Sequence, residues 1–364
     1  MVSLNIIINS LGRGGAEKSA IALAKDLAKA GLECTVFYIE HEDTCVETNE
    51  VKICFLGLIK GKSTPVRLVN YLYAFFQLVL MKRFSDPGAA YLSFLMYSNV
   101  INSLSSNSPL LSRTFASERS LILDRVSPSF MGRWLATNYI KVLRRVKKVF
   151  AISRPVQDSL SCSGLDNVVV VNNPYYGRAS VNSYNVQKNS LDILLVGRLE
   201  KIKNFEYVIQ QFPRLASFCD SIQVFGDGGQ MFSLKRSARE TGFGEFITFW
   251  GFVDDPYALV KDKKPVTVVS SLSESFGNVV VESLYHGIPV VVSASAKGAV
   301  EIVCDGRFGM VYDDNKTSSS LVECLKVLSD PCNYDTYSRL ARTRSSDFSR
   351  GAWAHKYYRT LFED

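Results

Sequence analysis

The sequence predicts an α/β protein made of two parallel-sheet units. Short apolar runs typical of buried strands alternate with segments of helical spacing along the 364 residues. A polar stretch at residues 178–190 separates two halves, and each half begins with an apolar strand that leads into a glycine-containing loop. At this length each half has enough residues to bury a core of its own.

The order of the elements follows from these patterns. In the first half, strands are expected at residues 4–9, 34–39, 90–95 and 148–152, and a first helix at residues 16–30. In the second half, strands are expected at residues 192–196, 222–225, 247–250, 266–270 and 290–293, and an amphipathic helix at residues 352–362. The predicted domains are therefore residues 1–177 and 191–348, joined by a linker at 178–190 and followed by a terminal segment at 349–364.

Composition indicates a globular protein with reduced thiols. Hydrophobic residues make up 47% of the chain and charged residues 21%, which is unlike a disordered protein. The eight cysteines are scattered singly, so a cytosolic setting is expected rather than a disulfide framework or a zinc site. The first residues lead directly into a strand, which predicts no signal peptide, and no apolar run reaches the length of a membrane-spanning helix.

Positive charge is concentrated in the first half. Residues 1–180 carry 21 Lys and Arg against 13 Asp and Glu, a net charge of +8, whereas the rest carries −1. The segment from Arg125 to Arg154 holds eight basic residues and no acid. Together with an apolar helical run at residues 69–81, this charge favours docking on an anionic membrane surface. A core helix beside an ordinary solvated basic face is the alternative, and nucleic-acid binding is disfavoured because no recognition motif accompanies the charge.

Two carboxylates mark the strongest candidate site. Glu274 follows the strand expected at 266–270, and Glu282 lies eight residues later on a helix that ends at a Gly/Pro terminator. Gly277 between them lets the backbone pass close to a ligand. Backbone N–H groups at such a helix start attract phosphate, and fixed carboxylates accept hydrogen bonds from sugar hydroxyls. The alternative is a helix-capping carboxylate and a solvated helical Glu.

A basic pair follows the first strand of the second half. The strand ends at Gly197, and Arg198 and Lys203 come directly after it. An Arg side chain binds two phosphate oxygens and a Lys adds a point charge, so this loop is suited to a diphosphate leaving group. A basic pair on an ordinary surface loop is the alternative.

Gly14 and Gly15 begin the first helix and direct backbone N–H groups towards a possible phosphate or oxyanion. A dinucleotide-binding fingerprint is disfavoured because the third glycine is missing and only Glu40 offers an acid after the second strand. The stretch from Gly57 to Thr64 has one residue too few between its glycines for a Walker A loop, so that motif is rejected.

The Glu-x7-Glu spacing with Phe-Gly after the first Glu resembles the signature of the GT4-type retaining glycosyltransferases, which have the two-domain GT-B architecture. Six further segments resemble the same family in the expected order along nearly the whole chain. They are residues 12–17, 197–204, 226–228, 251–254, 298–303 and 305–309.

This resemblance implies a GT-B fold of two Rossmann-like, doubly wound domains facing a cleft, with a terminal helix that crosses back to the first domain. It implies a nucleotide-sugar donor site in the second domain. Glu282 would accept from the ribose and Glu274 from the sugar, while Arg198 and Lys203 would hold the diphosphate. The other expected donor contacts are Gly14, Gly15, Phe252, Val253, Phe276, Gly277, Asn278 and Val279.

Relatives often carry a histidine where this chain has Glu118 and Arg119. With Gly15, these two residues are the expected acceptor contacts, and Glu118 is also a catalytic candidate beside Arg198, Lys203 and Glu274. Glu118 would orient the acceptor or Arg119 would steady a phosphate, and a structural ion pair between them is the alternative. Ser153 and Asn173 match family positions of architectural character.

The implied function is transfer of a hexose or N-acetylhexosamine from a nucleotide diphosphate sugar to a lipid-linked saccharide, with a polyprenyl-diphosphate carrier expected. Residues 93–100 resemble members that use UDP-N-acetylgalactosamine, which favours a UDP-sugar over GDP-mannose. The setting would be lipopolysaccharide, O-antigen or another surface polysaccharide, made by a cytoplasmic protein peripheral to the inner face of the membrane. No metal, cofactor or nucleic acid is expected. A nucleotide-sugar epimerase and a non-catalytic glycolipid-binding homologue are the alternatives.

Overall fold

The computed structural model describes residues 2–12, 14–41, 50–61, 63–121, 130–177, 190–313 and 320–363. It contains two compact units, one formed by Met1–Tyr176 with Arg350–Asp364 and the other by Gly177–Ser349. The last helix therefore belongs to the first unit. Residues 178–189 of the predicted linker lie outside the described residues.

The first unit is built on a parallel sheet with the strand order β3-β2-β1-β4-β5-β6-β7. These strands are β1 (Ser3–Ile8), β2 (Glu33–Tyr38), β3 (Lys52–Phe55), β4 (Ala89–Phe94), β5 (Thr114–Glu118), β6 (Lys148–Ala151) and β7 (Val168–Val170). The four strands expected in this half are present with ends shifted by one residue at most. Strand β1 pairs with β2 and β4, so the strand order reverses between β1 and β4.

The helices of the described part of the first unit are α1 (Gly15–Lys29), α2 (Thr64–Arg83), α3 (Met96–Leu104), α4 (Ser108–Leu111), α5 (Phe130–Leu143), α6 (Arg154–Cys162) and α13 (Arg350–Phe362). Helix α1 buries the apolar face that its spacing predicts, including Leu23 and Leu27. Helix α13 packs beside it, and Arg350 donates two hydrogen bonds to Asp26 at 2.7 and 3.1 Å. The terminal helix thereby completes the core of this unit.

The second unit has a parallel sheet with the order β10-β9-β8-β11-β12-β13. Its strands are β8 (Leu191–Val196), β9 (Cys219–Phe225), β10 (Ile247–Gly251), β11 (Pro265–Val269), β12 (Val290–Ser293) and β13 (Met310–Tyr312). Its helices are α7 (Phe205–Leu215), α8 (Met231–Glu240), α9 (Asn278–Tyr285), α10 (Lys297–Ile302), α11 (Leu321–Ser329) and α12 (Pro331–Ser345). The prediction of two parallel-sheet, Rossmann-like units is confirmed.

Helix α2 has apolar residues on two faces. Its buried residues are Asn70, Ala74, Leu78 and Lys82, and Ala74 and Leu78 belong to a core cluster of the first unit. On another face, Leu72 and Phe76 are 54% and 63% exposed. An amphipathic helix of a globular protein normally keeps one apolar face, turned to the core, so α2 leaves a second apolar face in solvent.

Lys82 anchors α2 to the following segment. Its Nζ donates to the backbone and side-chain oxygens of Asn102 at 2.7 and 2.8 Å, and to Ser105 and Ser106 Oγ at 3.0 and 2.7 Å. The ammonium also lies 4.9 Å from the ring centroid of Tyr91. Burial lowers the pKa of Lys82 from its ordinary 10.5 to about 7, because the charged form loses its hydration.

This lowered pKa predicts a pH-dependent stability. Below pH 10.5 the unfolded chain takes up a proton on Lys82, but the folded chain does so only near pH 7. Proton uptake therefore favours unfolding, and this contribution to the free energy of unfolding rises with pH between about 7 and 10. As the pH rises from about 7 to 10, we expect the unfolding free energy of the wild type to increase relative to that of Lys82→Met. Denaturant titrations at several pH values measure it; a constant difference would show that the four acceptors hold Lys82 charged throughout.

Candidate functional site

The strand order of the second unit reverses between β8 and β11, which pair through Ile193 and Val266. In open α/β sheets, ligands bind outside the carboxyl ends of the strands at such a point. The loop after β8 carries Arg198 and Lys203, and the loop after β11 carries Glu274. The fold therefore brings both predicted motifs to one edge of the sheet.

Lys203 and Glu274 form an ion pair at this edge. The Lys203 Nζ donates to Glu274 Oε2 at 2.6 Å, and both side chains are about one-fifth exposed. Ser271 Oγ donates to the same carboxylate oxygen at 3.2 Å. A partly buried, hydrogen-bonded pair is held much more firmly than a surface ion pair. It therefore presents a fixed cation and a fixed anion side by side.

The backbone holds the two loops together. Leu272 N donates to the Ile202 carbonyl at 2.9 Å, and Ser270 Oγ donates to the Lys203 carbonyl at 2.8 Å. The segment 201–203 is a 3₁₀ turn that ends at Asn204 with a left-handed backbone. Lys203 lies on the loop after β8 and is held by contacts to the loop after β11. These two strands are the ones between which the strand order reverses.

Arg198 is oriented differently from Lys203. Its side chain is 78% exposed and pairs with Glu200 at 2.9 Å, whereas the intervening Leu199 is fully buried. Arg198 lies on the same loop but does not join the Lys203–Glu274 pair. Among the described residues, its guanidinium pairs with the exposed Glu200 alone, and an exposed pair contributes little to fixing a side chain.

Glu282 lies on α9 beside a buried aromatic pair. Tyr257 OH donates to Glu282 Oε2 at 3.3 Å, and the Tyr257 ring stacks on His286 with centroids 4.5 Å apart. Burial lowers the pKa of His286 below its ordinary value, so its ring is neutral at pH 7. Tyr257 thus supports the carboxylate, a role that its sequence position did not indicate.

The start of α9 is a glycine-dependent turn. Gly277 caps the helix with φ 106°, a conformation that favours glycine. Asn278 and Val279 follow as the first helical residues and are half-buried. Phe276 is buried, with its ring against Phe348 at 6.2 Å, so its side chain packs inward and only its backbone lies at the predicted phosphate-binding turn.

Other glycines of the motifs allow backbone segments to touch. A Cβ at Gly298 would lie 2.4 Å from Phe276 N and 2.6 Å from the Glu274 carbonyl oxygen, and Gly298 N donates to that oxygen at 2.9 Å. A Cβ at Gly226 would lie 1.9 Å from the Gly197 oxygen. These glycines act as spacers that set the positions of the site loops.

The loop after β10 carries the residues expected to hold the base. Gly251 has φ 71° with open space around it. Phe252 is 54% exposed, and Val253 packs on a small buried cluster that includes Tyr257. The structure thus places Phe252 at the surface and Val253 next to the residue that supports Glu282.

In the first unit, Arg119 lies beside the first turn of α1. Its Nη2 donates to Ser19 Oγ at 2.7 Å and to Asn173 Oδ1, and Ser19 Oγ donates to the Gly15 carbonyl at 2.7 Å. Gly14 caps α1 in an extended conformation. Within the described residues, Nε and Nη1 of Arg119 are buried and make no hydrogen bond.

Glu118 is buried and its carboxylate braces the loop after β5. Oε1 accepts from the backbone N–H groups of Arg119 and Ser120 at 3.0 and 3.1 Å, and Oε2 accepts from Tyr139 OH at 2.6 Å. The alternative was an ion pair between Glu118 and the Arg119 side chain. In the structure, the Glu118 carboxylate instead makes the contacts just given. Roles of Glu118 in catalysis and of Gly15, Glu118 and Arg119 in acceptor binding stay predictions.

Glu40 follows β2 and is engaged with α2. Its carboxylate accepts from Arg67 Nε at 2.9 Å and from Tyr71 OH. Glu40 is the acid on which a dinucleotide site would depend, and in the structure it fixes α2 to the segment after β2. In the described part of the chain, no group of three or more His, Cys, Asp or Glu side chains is arranged to hold a metal ion.

Comparisons with known proteins find a family match in the second half of the chain. The family described as "Glycosyl transferases group 1" matches residues 178–344. Solved structures similar to the whole chain include the lipopolysaccharide outer core galactosyltransferase WaaB (TM-score 0.76, 17% identity) and Anabaena HepE in complex with UDP and glucose (TM-score 0.78, 17% identity), each covering 99% of both chains. The predicted GT-B fold is confirmed.

Two curated relatives of this chain come from Campylobacter jejuni. N-acetylgalactosamine-N,N'-diacetylbacillosaminyl-diphospho-undecaprenol 4-alpha-N-acetylgalactosaminyltransferase is 26% identical over 369 residues, which cover 96% of each chain. A GalNAc-alpha-(1->4)-GalNAc-alpha-(1->3)-diNAcBac-PP-undecaprenol alpha-1,4-N-acetyl-D-galactosaminyltransferase is 24% identical over 366 residues, which cover 96% of this chain and 95% of the relative. The sequence resemblance to GT-B glycosyltransferases of lipid-linked glycan assembly is confirmed.

The glycine spacers predict a specific defect. In Gly298→Ala the new methyl must displace the backbone of residues 274–276, so we expect a loss of about 1–3 kcal/mol in unfolding free energy. Gly229→Ala is the matched control, because nothing lies within 4 Å of its Cβ position. Denaturant unfolding of both variants measures the difference. Equal stability of the two variants would refute the spacer role of Gly298.

Proposed function

We propose that this chain is a retaining glycosyltransferase that moves a hexose or N-acetylhexosamine from a nucleotide diphosphate sugar to a lipid-linked saccharide. The Lys203–Glu274 pair carries the proposal, since it sets a cation for the diphosphate beside an anion for the sugar hydroxyls at the sheet's switch point. The curated relatives, by name, act on undecaprenyl-diphosphate-linked saccharides, which supports a polyprenyl-diphosphate carrier for the acceptor.

The pair has a direct chemical role in this reaction. One N–H of the Lys203 ammonium is engaged by Glu274, and two remain for diphosphate oxygens. As the bond between the anomeric carbon and the diphosphate breaks, negative charge grows on the leaving oxygen, and a fixed cation lowers the barrier. The acceptor hydroxyl forms the new bond on the same face, and its proton passes to the departing β-phosphate. Glu282 would bind the ribose hydroxyls.

A UDP-sugar is the proposed donor, with N-acetylgalactosamine as the leading sugar. The names of the two Campylobacter relatives support this choice. GDP-mannose is the alternative donor. Since Arg198 and Lys203 supply positive charge at the diphosphate, no metal ion is proposed.

Donor binding tests the site. We expect UDP-N-acetylgalactosamine, among a panel of UDP- and GDP-sugars, to raise the apparent melting temperature of the full chain by mass action. Lys203→Ala and Glu274→Gln should each weaken this binding at least about tenfold, because each removes a charge-assisted contact. Lys201→Ala is the control, since Lys201 is an exposed cation two residues away. Undiminished binding in Lys203→Ala and Glu274→Gln would refute the assignment.

Turnover separates the reaction classes. A transferase consumes the donor only when an undecaprenyl-diphosphate-linked saccharide is added, and Glu274→Gln should slow it roughly 100-fold or more. An epimerase would change the donor without an acceptor. A non-catalytic homologue would bind the glycolipid but consume no donor. Coupled detection of released nucleotide, with and without acceptor, distinguishes all three.

We also propose that the first unit docks on an anionic membrane surface through α2. Every fourth residue along one side of this helix is an exposed apolar residue: Leu68, Leu72, Phe76, Leu80 and, directly after it, Phe84. This stripe is about 24 Å long at 1.5 Å per residue. Exposed apolar area of this extent marks an interaction surface, and a bilayer interface matches both its chemistry and a lipid-linked acceptor.

Charge and neighbouring elements support the same surface. Helices α2, α3 and α5 lie side by side in one layer, and α5 adds an exposed Trp134. Residues 1–180 have a net charge of +8, which complements anionic lipids. Within the described residues, no helix combines the length and the hydropathy that a bilayer span requires.

Vesicle flotation tests this surface. We expect Leu72→Asp/Phe76→Asp to reduce binding of the full chain to vesicles containing phosphatidylglycerol at least about tenfold, since each side chain loses its transfer free energy. Phe232→Asp is the control, because Phe232 is 79% exposed in the second unit. Equal losses in both variants would argue against α2 as the docking element.

A further inference from the structure

A basic cavity of about 340 Å³ lies between α5 and α6 in the first unit. Its volume is at the lower end of the range found for small-molecule sites. In the described part of the chain, its wall contains three cations, three hydroxyl groups and no carboxylate. These residues are Arg133, Lys141, Arg144, Thr137, Ser159 and Ser163.

The spacing of these residues places them on two facing ridges. On α5, positions 133, 137, 141 and 144 are separated by four, four and three residues, so their side chains share one face. On α6 and its C-cap, Ser159 and Ser163 are again four apart. Lys141 and Arg144 are therefore neighbours on this face, and Arg133 lies about 12 Å from Lys141 along the helix.

Arg144 is fixed in position by the end of α6. Its Nε donates to the Gly164 carbonyl at 3.0 Å and its Nη2 to the Ser163 carbonyl at 3.1 Å. Gly164 has φ 79°, and a Cβ there would lie 2.5 Å from Nη2. The guanidinium thus offsets the negative end of the α6 dipole. Arg144 lines the cavity, and among the described residues its Nη1 makes no hydrogen bond, so the two N–H groups of Nη1 are available to a ligand.

Like charges on one helical face destabilise each other unless an anion lies between them. The acid closest in sequence on α6 is Asp158, which does not line the cavity, and no ion pair joins Arg133, Lys141 or Arg144 to a described carboxylate. We infer that this cavity binds phosphate groups of a ligand, one held by Lys141, Arg144 and the Ser159 hydroxyl and a second reached by Arg133. A diphosphate or a phospholipid headgroup supplies this chemistry. The site lies in the first unit and is distinct from the donor site proposed in the second.

Inorganic pyrophosphate is the probe for the cavity, and isothermal titration calorimetry measures its binding to the full chain. The chain carries Lys203→Ala, because this change weakens pyrophosphate binding at the proposed donor site. We expect Lys141→Gln to weaken the remaining binding at least about tenfold, as loss of a charge-assisted contact requires. Arg145→Gln removes the same charge from the segment that follows α5 but does not line the cavity, and it should change binding less than about twofold.

Two results would overturn the inference: no pyrophosphate binding in the Lys203→Ala background, or equal losses in Lys141→Gln and Arg145→Gln. Donor-sugar binding in otherwise wild-type protein should be unaffected by Lys141→Gln, which separates this site from the proposed function.

Vesicles containing phosphatidic acid identify the natural source of the phosphate. If Lys141→Gln lowers both pyrophosphate and vesicle binding, a lipid headgroup occupies the cavity. If it lowers only pyrophosphate binding, a diphosphate carried by another ligand occupies it. Either pattern supports the site.

Discussion

The candidate donor site depends on the close approach of backbone segments at the carboxyl edge of the second sheet. Parallel strands about 4.8 Å apart bring their following loops into contact, and side chains between those loops would separate them. Glycine at 226 and 298 removes that obstacle, since a Cβ would fall within 2.4 Å of neighbouring backbone at both positions. As a consequence, Lys203 meets Glu274 across 71 residues of sequence.

This constraint also explains why the two cations of the first loop differ. Lys203 is attached to the β11 loop through backbone and side-chain hydrogen bonds, whereas Arg198 projects into solvent beside Glu200. A group that is fixed before the ligand arrives loses little entropy on binding. In the proposed function, Lys203 would therefore determine where the diphosphate lies, and Arg198 would become ordered by the ligand.

The first unit uses the same strand architecture for a different purpose. Its polar residues at the carboxyl edge brace the structure: Glu118 secures the loop after β5, and Glu40 secures α2. The two further surfaces that we propose for partners of this unit lie on its helices. The apolar side of α2 and the basic cavity beside α5 are both outward surfaces, and their chemistry suits a substrate that has a lipid tail and phosphate groups.

The sequence alone determined the alternation of strands and helices, because long runs with a clear period leave few other ways to bury apolar area. It also determined the candidate site residues at the second sheet edge, through the spacing of Glu274 and Glu282 after one strand and of Lys203 after another. Strands β3, β5, β7 and β13, which have three to five residues each, were not predicted, because runs this short give only a weak periodic signal. The equally short β6 and β12 were predicted. Only the tertiary structure decided that Lys203 rather than Arg198 pairs with Glu274, that Tyr257 supports Glu282, and that α2 leaves a second apolar side exposed beside the one it buries. Those outcomes depend on contacts between residues far apart in the chain, which local patterns do not encode.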